Sequence, residues 1–353
     1  MPVNTDLQDQ IELRSGRNSN SNRLLIYFIA GNPGLVEYYR RYLESLQKSL
    51  RDREEEVIIF GASHDGFEFH APANRINEGP PPYSLNQEIH CVRSRLSLKA
   101  RELVKEDSTK RLHVILIGHS VGAYMLLETI EWWQNQPSEQ SICSVKGGIC
   151  LFPTVVDIVK SDKGQTLRPV LNFPGMGYLL SGLATFCAWI GFLDQLTKWL
   201  TPGVEGGTVT AALARSDTGV RQVIHMARDE LASINEDKWH ATELWGVVQD
   251  SQGPNGALQD DEREASSSIA TAQGTPRTKL YLLFGKDDYW VNNTSRDDLI
   301  SKRSGKHTTM EVLHNRPEIP HTFSLHPEHS EHVAEKTMAW IASLEKGQYE
   351  SEL

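Results

Sequence analysis

Residues 116–125 read LIGHSVGAYM, and their setting limits the possible folds more than any other stretch. The apolar run HVILI at 113–117 leads into them, and 123–133 carries apolar residues at helical spacing. A tight turn therefore joins a buried strand to a helix, and it consists of Gly118-His119-Ser120-Val121-Gly122. Glycine is needed at both ends of such a turn because side chains there would strike neighbouring backbone. Ser120 is forced into a strained conformation, with its hydroxyl held out at the carboxyl edge of the sheet. The helix starting near Val121 adds the positive end of its dipole at the same place.

The rest of the chain supplies the sheet around that turn. Runs at 24–29 (LLIYFI), 57–60 (VIIF), 112–117, 148–152 (GICLF), 279–284 (KLYLLF) and 309–313 (TMEVL) predict strands. Most are apolar without alternation, as suits strands covered on both faces. Helical spacing predicts helices over 38–50, 85–104, 123–133, 295–303 and 331–344, and a mainly helical stretch across 153–245. Strands alternating with helices imply an α/β protein with a mostly parallel, doubly covered sheet. In such a sheet, Gly-x-Ser-x-Gly between strand and helix is the nucleophile elbow of the α/β-hydrolase fold. The 353 residues suit one large domain with insertions. Its expected limits are 23–345, between a polar, frayed tail at 1–22 and a C-terminal tail at 346–353. Residues 249–278, rich in Ser, Gly, Asp and Gln, are expected to form a disordered insertion.

A serine hydroxyl needs a base, and the base needs an orienting acid, in the chain order Ser, acid, His. The stretch LYLLFGKDDYWV ends a late strand with Asp287 and Asp288. The fold's usual spacing sets the acid three residues after a glycine, here Gly285, and selects Asp288; Asp287 reads as a solvated turn residue. Asp157, after the preceding strand, is the rival acid. Beyond the last strand, HNRPEIPHTFSLHPEHSEH offers His314, His321, His326, His329 and His332. His314 is too near the strand end to reach back over the sheet, and His329 and His332 start the closing helix facing solvent. His321, after a proline-containing loop, is the expected base. The oxyanion donors are expected to be the N–H of Val121 and that of Asn32 in the IAGNPG loop, since Pro33 has none. No metal site is expected, because no HxxxH with acidic helpers shares a helix face, and no cofactor is expected.

The formal net charge of −10 excludes a nucleic-acid partner, which would demand a basic face. Cys91, Cys143, Cys150 and Cys187 show no CxxC spacing and read as reduced, partly buried thiols. The first twenty residues lack the apolar core of a signal peptide, so the sequon at Asn292 is expected to stay unmodified. Residues 170–200, VLNFPGMGYLLSGLATFCAWIGFLDQLTKWL, are the most apolar stretch of the chain. Their length approaches that of a membrane span, yet they lie between core strands, where a lid inserts. They read as a hydrophobic cap that enters a lipid monolayer through Leu179, Leu180, Phe186, Trp189 and Phe192. The simpler alternative is an apolar lid packed over the active site.

Taken together, GNPGLVEYYRRYLESL, SHDGF with YSLNQEIHCV, LIGHSVGAYM, LFPTV and PHTFSL resemble the lipid droplet-associated hydrolase family over most of 22–345. That resemblance implies an α/β-hydrolase whose Ser, Asp and His are Ser120, Asp288 and His321. It also implies a serine esterase for lipids such as sterol esters or acylglycerols, partnered by a lipid droplet monolayer or the endoplasmic reticulum surface, with some protein in the cytosol. Two alternatives stand beside it: a largely non-enzymatic droplet protein that organises droplets or binds partners, and an esterase for small soluble esters.

Overall fold

A computed structural model of the chain describes residues 7–19, 21–70, 75–200, 204–239, 244–246, 278–314 and 318–349. The strands are β1 (Gln10–Ser15), β2 (Asn22–Ile29), β3 (Glu56–Ala62), β4 (Arg111–His119), β5 (Ser144–Leu151), β6 (Lys279–Gly285) and β7 (Thr308–Leu313). They form one sheet in the order β1-β3-β2-β4-β5-β6-β7. Every neighbouring pair is parallel except β1 with β3. The central strands are buried along almost their whole length because both faces are covered. Alternate residues serve different cores: Leu25, Tyr27 and Ile29 face one, and Leu24, Ile26 and Phe28 the other.

The helices follow from the same two faces. They are α1 (Arg40–Ser49), α2 (Leu85–Glu106), α3 (Val121–Gln134), α4 (Pro137–Gln140), α5 (Asp162–Leu171), α6 (Met176–Trp189), α7 (Leu193–Leu200), α8 (Val204–Arg215), α9 (Gly219–Ser233), α10 (Asn293–Arg303) and α11 (Pro327–Tyr349). Tyr42, Leu43 and Leu46 of α1 and Val333, Trp340 and Ile341 of α11 fill the second core. Helices α2 and α3 cover the first. Helix α2 starts sharply because Ser84 and Gln87 form a reciprocal capping box. Helices α5 to α9 all fall between β5 and β6 and form a cap. Helices α5 and α6 meet at 89°, and no single described helix is long and apolar enough to cross a membrane.

Two boundaries differ from the sequence expectation. The segment 1–22 is not merely a polar tail, because β1 lies within it. Its Gln, Glu and Arg alternate with Ile11 and Leu13, which pack on the second core, so half of a period-two strand was hidden among charges. Helix α11 continues to Tyr349, past the expected tail boundary at 346. Nearly all of the expected 249–278 insertion lies outside the described residues; Thr278 itself is buried. All four cysteines are buried free thiols. Asn292 caps α10, its Oδ1 accepting from the Ser295 N–H at 3.0 Å.

Candidate active site

Strand β4 runs straight into α3 through Ser120, which has φ +57° and ψ −125° and no side-chain cap bond. Such a conformation is sparsely populated for a residue with a Cβ and persists only where its surroundings impose it. Those surroundings are tight. A Cβ on Gly118 would stand 2.3 Å from the Gly122 carbonyl oxygen, and one on Gly122 would stand 2.4 Å from the carbonyl oxygens of Ile29 and Ala30. The Ser120 N–H is held by the Leu151 carbonyl at 3.0 Å.

Asp288 and His321 reach Ser120 from two other loops. His321 Nε2 lies 2.9 Å from Ser120 Oγ, and its Nδ1 lies 2.7 Å from Asp288 Oδ2. The Asp288 side chain is almost wholly enclosed, and its Oδ1 accepts from the Trp290 N–H. A carboxylate that accepts a hydrogen bond from one imidazole N–H fixes the tautomer and leaves the other nitrogen free to accept from a hydroxyl. Such a chain can convert a serine into an attacking oxygen. The remaining candidates lie elsewhere. Asp287 is half exposed beside Lys286, and Asp157 accepts from Ser295 Oγ at 2.6 Å. His314 and His332 are exposed, while His329 is half-buried and packs against the His326 ring rather than facing solvent.

Val121 is the first residue of α3, so its N–H has no acceptor within the helix. The loop carrying Asn32 presses on the same turn: a Cβ on Gly31 would meet Ser120 Cβ and the His119 carbonyl oxygen at 3.1 Å. No hydrogen bond among the described residues uses the Asn32 N–H. The loop is held from beneath by His64 of the SHDGF stretch, whose Nε2–H donates to the Ala30 carbonyl at 3.0 Å. Burial lowers His64 to about 4, so that ring is neutral. From above, the Asn32 amide donates to the Val223 carbonyl and, at 2.8 Å, to Glu230 Oε1.

Sequence reasoning had missed Glu230, which sits in an ordinary amphipathic helix and whose role appears only when α9 is folded over Asn32. Burial pushes its carboxyl up to about 8; the Asn32 hydrogen bond opposes this and nearby Asp229 reinforces it. The folded chain therefore keeps a proton that the unfolded chain releases above its ordinary value of 4.5. Stability from this proton is complete below that value and is lost as the pH rises toward about 8. Glu230→Gln is expected to remove this component from the fall in melting temperature across that interval. An unchanged pH dependence would assign the titration to another group.

A cavity of about 260 Å³ opens beside Asp288 and His321, with Trp290 and Pro320 in its wall; Ser120 is not among its lining residues. Ser120 is only 8% exposed. Across the cap, Leu179, Phe186, Trp189 and Phe192 are all exposed, Trp189 to 82%. Leu180 differs from expectation: it turns inward and packs on the first core. Tyr178, Leu183 and Ile190 join the exposed set, because α6 presents 178, 179, 182, 183, 185, 186 and 189 outward, of which only Thr185 is polar, and Ile190 follows at its end. Helix α6 is thus apolar on its solvent side as well as its protein side, where an ordinary surface helix is polar.

A parallel sheet, a strained serine between strand and helix, and an acid and a histidine on the loops after two late strands define an α/β-hydrolase. Solved structures share that fold: a carboxylesterase from Nitrososphaera gargenis has a TM-score of 0.52 at 12% identity, covering 96% of each chain. The haloalkane dehalogenase DatA from Agrobacterium tumefaciens has a TM-score of 0.51 at 17% identity, covering 95% of this chain and 92% of that one. Residues 22–324 match the family model described as lipid-droplet associated hydrolase, and the chain belongs to that family. Relatives named lipid droplet-associated hydrolase include one from Gallus gallus, 28% identical over 64% of this chain and 67% of its own length. One from Drosophila melanogaster is 28% identical over 60% of this chain and 66% of its own length. One from Dictyostelium discoideum is 21% identical over 96% of both. Family and fold together support a hydrolase.

Proposed function

We propose that the chain is a serine ester hydrolase that cleaves neutral lipid esters, of the sterol ester or acylglycerol class, at the surface of a lipid droplet. The reading rests on the unbroken hydrogen-bond chain from Ser120 through His321 to Asp288. In this reaction Ser120 Oγ attacks the ester carbonyl while its proton passes to His321 Nε2. Asp288 holds the opposite imidazole nitrogen and stabilises the cation that forms. The charge on the carbonyl oxygen is met by the N–H groups of Val121 and Asn32 and by the positive end of α3. His321 then returns its proton to the departing alcohol, leaving an acyl group on Ser120. A water molecule, deprotonated by His321, attacks that acyl group; the bond to Ser120 Oγ breaks, the proton passes from His321 to that oxygen, and the fatty acid leaves.

The droplet part of the reading rests on the outward apolar face of α6 and on the family name. An esterase confined to small soluble esters has no use for an 82% exposed tryptophan on its cap. On this reading the protein works on droplets, with the endoplasmic reticulum surface or the cytosol as its reserve. The base is tested by comparing histidines. His321→Ala is expected to lower hydrolysis of a short soluble ester by roughly 10⁴-fold or more, with His329→Ala close to the parent. Equal losses in both would discard His321 as the base.

A further inference from the structure

A second histidine lies against the proposed base and takes no part in the proton transfers above. His119, within the Gly-x-Ser-x-Gly turn, is buried, and its ring centre is 4.9 Å from that of His321. Its Nε2 lies 2.9 Å from the His321 carbonyl oxygen, and its Nδ1 lies 2.8 Å from Tyr39 Oη. The same Tyr39 Oη lies 3.1 Å from the Gly31 nitrogen. These contacts admit one arrangement of protons. A carbonyl oxygen only accepts, so His119 carries its proton on Nε2. Burial and the neighbouring His321 hold His119 well below the ordinary imidazole range, so Nδ1 is bare and must accept. Tyr39 therefore donates its hydroxyl proton to His119, and its oxygen accepts the Gly31 N–H.

We propose that Tyr39 and His119 are positioning residues that tie the loop of Asn32 and the loop of His321 to the Ser120 turn. This rests on the reading of Ser120 and His321 given above. The chain of bonds begins at the residue before Asn32 and ends on the backbone of His321, with both links buried. It sets the two loops by direct contact with the turn that carries the serine. Phe323 and Phe152 close the ring of contacts, with centroids 5.3 and 6.2 Å from His119. Phe152 itself is held at φ +46°, a conformation a bulky residue adopts only under constraint. A neutral His119 also adds no second positive charge beside His321 while that ring is protonated.

His119→Phe keeps the ring packing and removes both hydrogen bonds; Tyr39→Phe removes one oxygen. Each is expected to lower kcat for a short soluble ester by about 10- to 100-fold with KM within about twofold of the parent, because displaced reacting groups slow the chemistry without loosening binding. The rate of labelling by a fluorophosphonate should fall in the same ratio. The double variant should be no slower than the slower single, since one chain is broken in either case. His119→Gln, whose amide reaches the His321 carbonyl, should recover most of the rate. Additive losses, a rise in KM at constant kcat, or no recovery with Gln would overturn the inference. Should His119→Phe fail to fold, Tyr39→Phe alone carries the kcat and KM test. Labelling of the parent that does not depend on Ser120 would overturn the reading of the site itself, and this inference with it. Ser120-dependent labelling indifferent to both substitutions would sink this inference alone.

Discussion

Ser120→Ala is expected to give a folded chain that neither reacts with a fluorophosphonate nor releases acid from any ester. The substitution removes one oxygen and leaves the backbone at Ser120 with the same sterics, since alanine and serine carry the same Cβ. It removes no helix cap, because the Ser120 side chain makes none. Among the described residues, the only side-chain bond lost is the one to His321 Nε2. Stability should therefore move by about 1 kcal/mol or less. The chemical loss is of another order. When nucleophile and base act as a unit, deleting either costs nearly as much as deleting the whole triad, roughly 10⁵- to 10⁶-fold in kcat. Labelling followed by gel fluorescence, with melting temperature as the control, decides the matter. Persistent labelling of the variant would move the nucleophile to another residue.

The second large effect concerns surface binding. Replacing Leu179, Leu183, Phe186 and Trp189 with serine is expected to release the protein from droplets while leaving hydrolysis of a short soluble ester within about threefold of the parent. All four side chains already face solvent, so no core is opened. Each gains about 1.5 kcal/mol on entering an apolar phase, roughly 6 kcal/mol together, or about 10⁴-fold in partition. Flotation with artificial droplets of triacylglycerol coated by phosphatidylcholine measures this directly. Leu180→Ser makes the contrast. Leu180 packs inward, so its replacement should lower the melting temperature and leave partition of the folded protein unchanged. If the quadruple variant loses ester hydrolysis along with droplet binding, the α6 face belongs to the active site rather than to a docking surface. If it still binds droplets, the anchor lies in another segment.

What the sequence revealed and what it concealed divide along a physical line. Strands such as β2 and β4 declare themselves because burial on both faces leaves only apolar residues. The Ser120 turn declares itself because backbone crowding permits only glycine at 118 and 122. Asp288 and His321 were reachable through the order and spacing the fold imposes. Strand β1 was less visible, since an edge strand needs only every second residue apolar, and its charged residues answer to Lys99, Glu56 and Glu106 far along the chain. Leu180 and Leu179 are identical letters side by side, and only the rotation of α6 against α9 distinguishes core from surface. Glu230, Tyr39 and His119 owe their roles to partners up to 202 residues away, which no local pattern encodes.

Helix α9 is bolted to the body of the domain at Tyr83, Leu85 and Asn32. Gln222 bonds both the N–H and the carbonyl of Tyr83, at 2.6 and 2.9 Å, and is wholly buried. Asp229 accepts the Leu85 N–H, and Glu230 and the Val223 carbonyl hold Asn32. Lifting the cap as one piece would strand several of these groups without partners, at about 1–3 kcal/mol each. Among the described residues, the outward side chains of α6 make no such hydrogen bonds to other elements; Tyr178 only lies beneath the Arg221 guanidinium. The cap therefore has two parts with separate fates: an inner helix fixed to the loops of Asn32 and Tyr83, and the outward face of α6, which can change without disturbing it. Under this division, new surfaces are reached by changing the outward side chains of α6, whether by natural drift or by design, while α9 stays with the sheet.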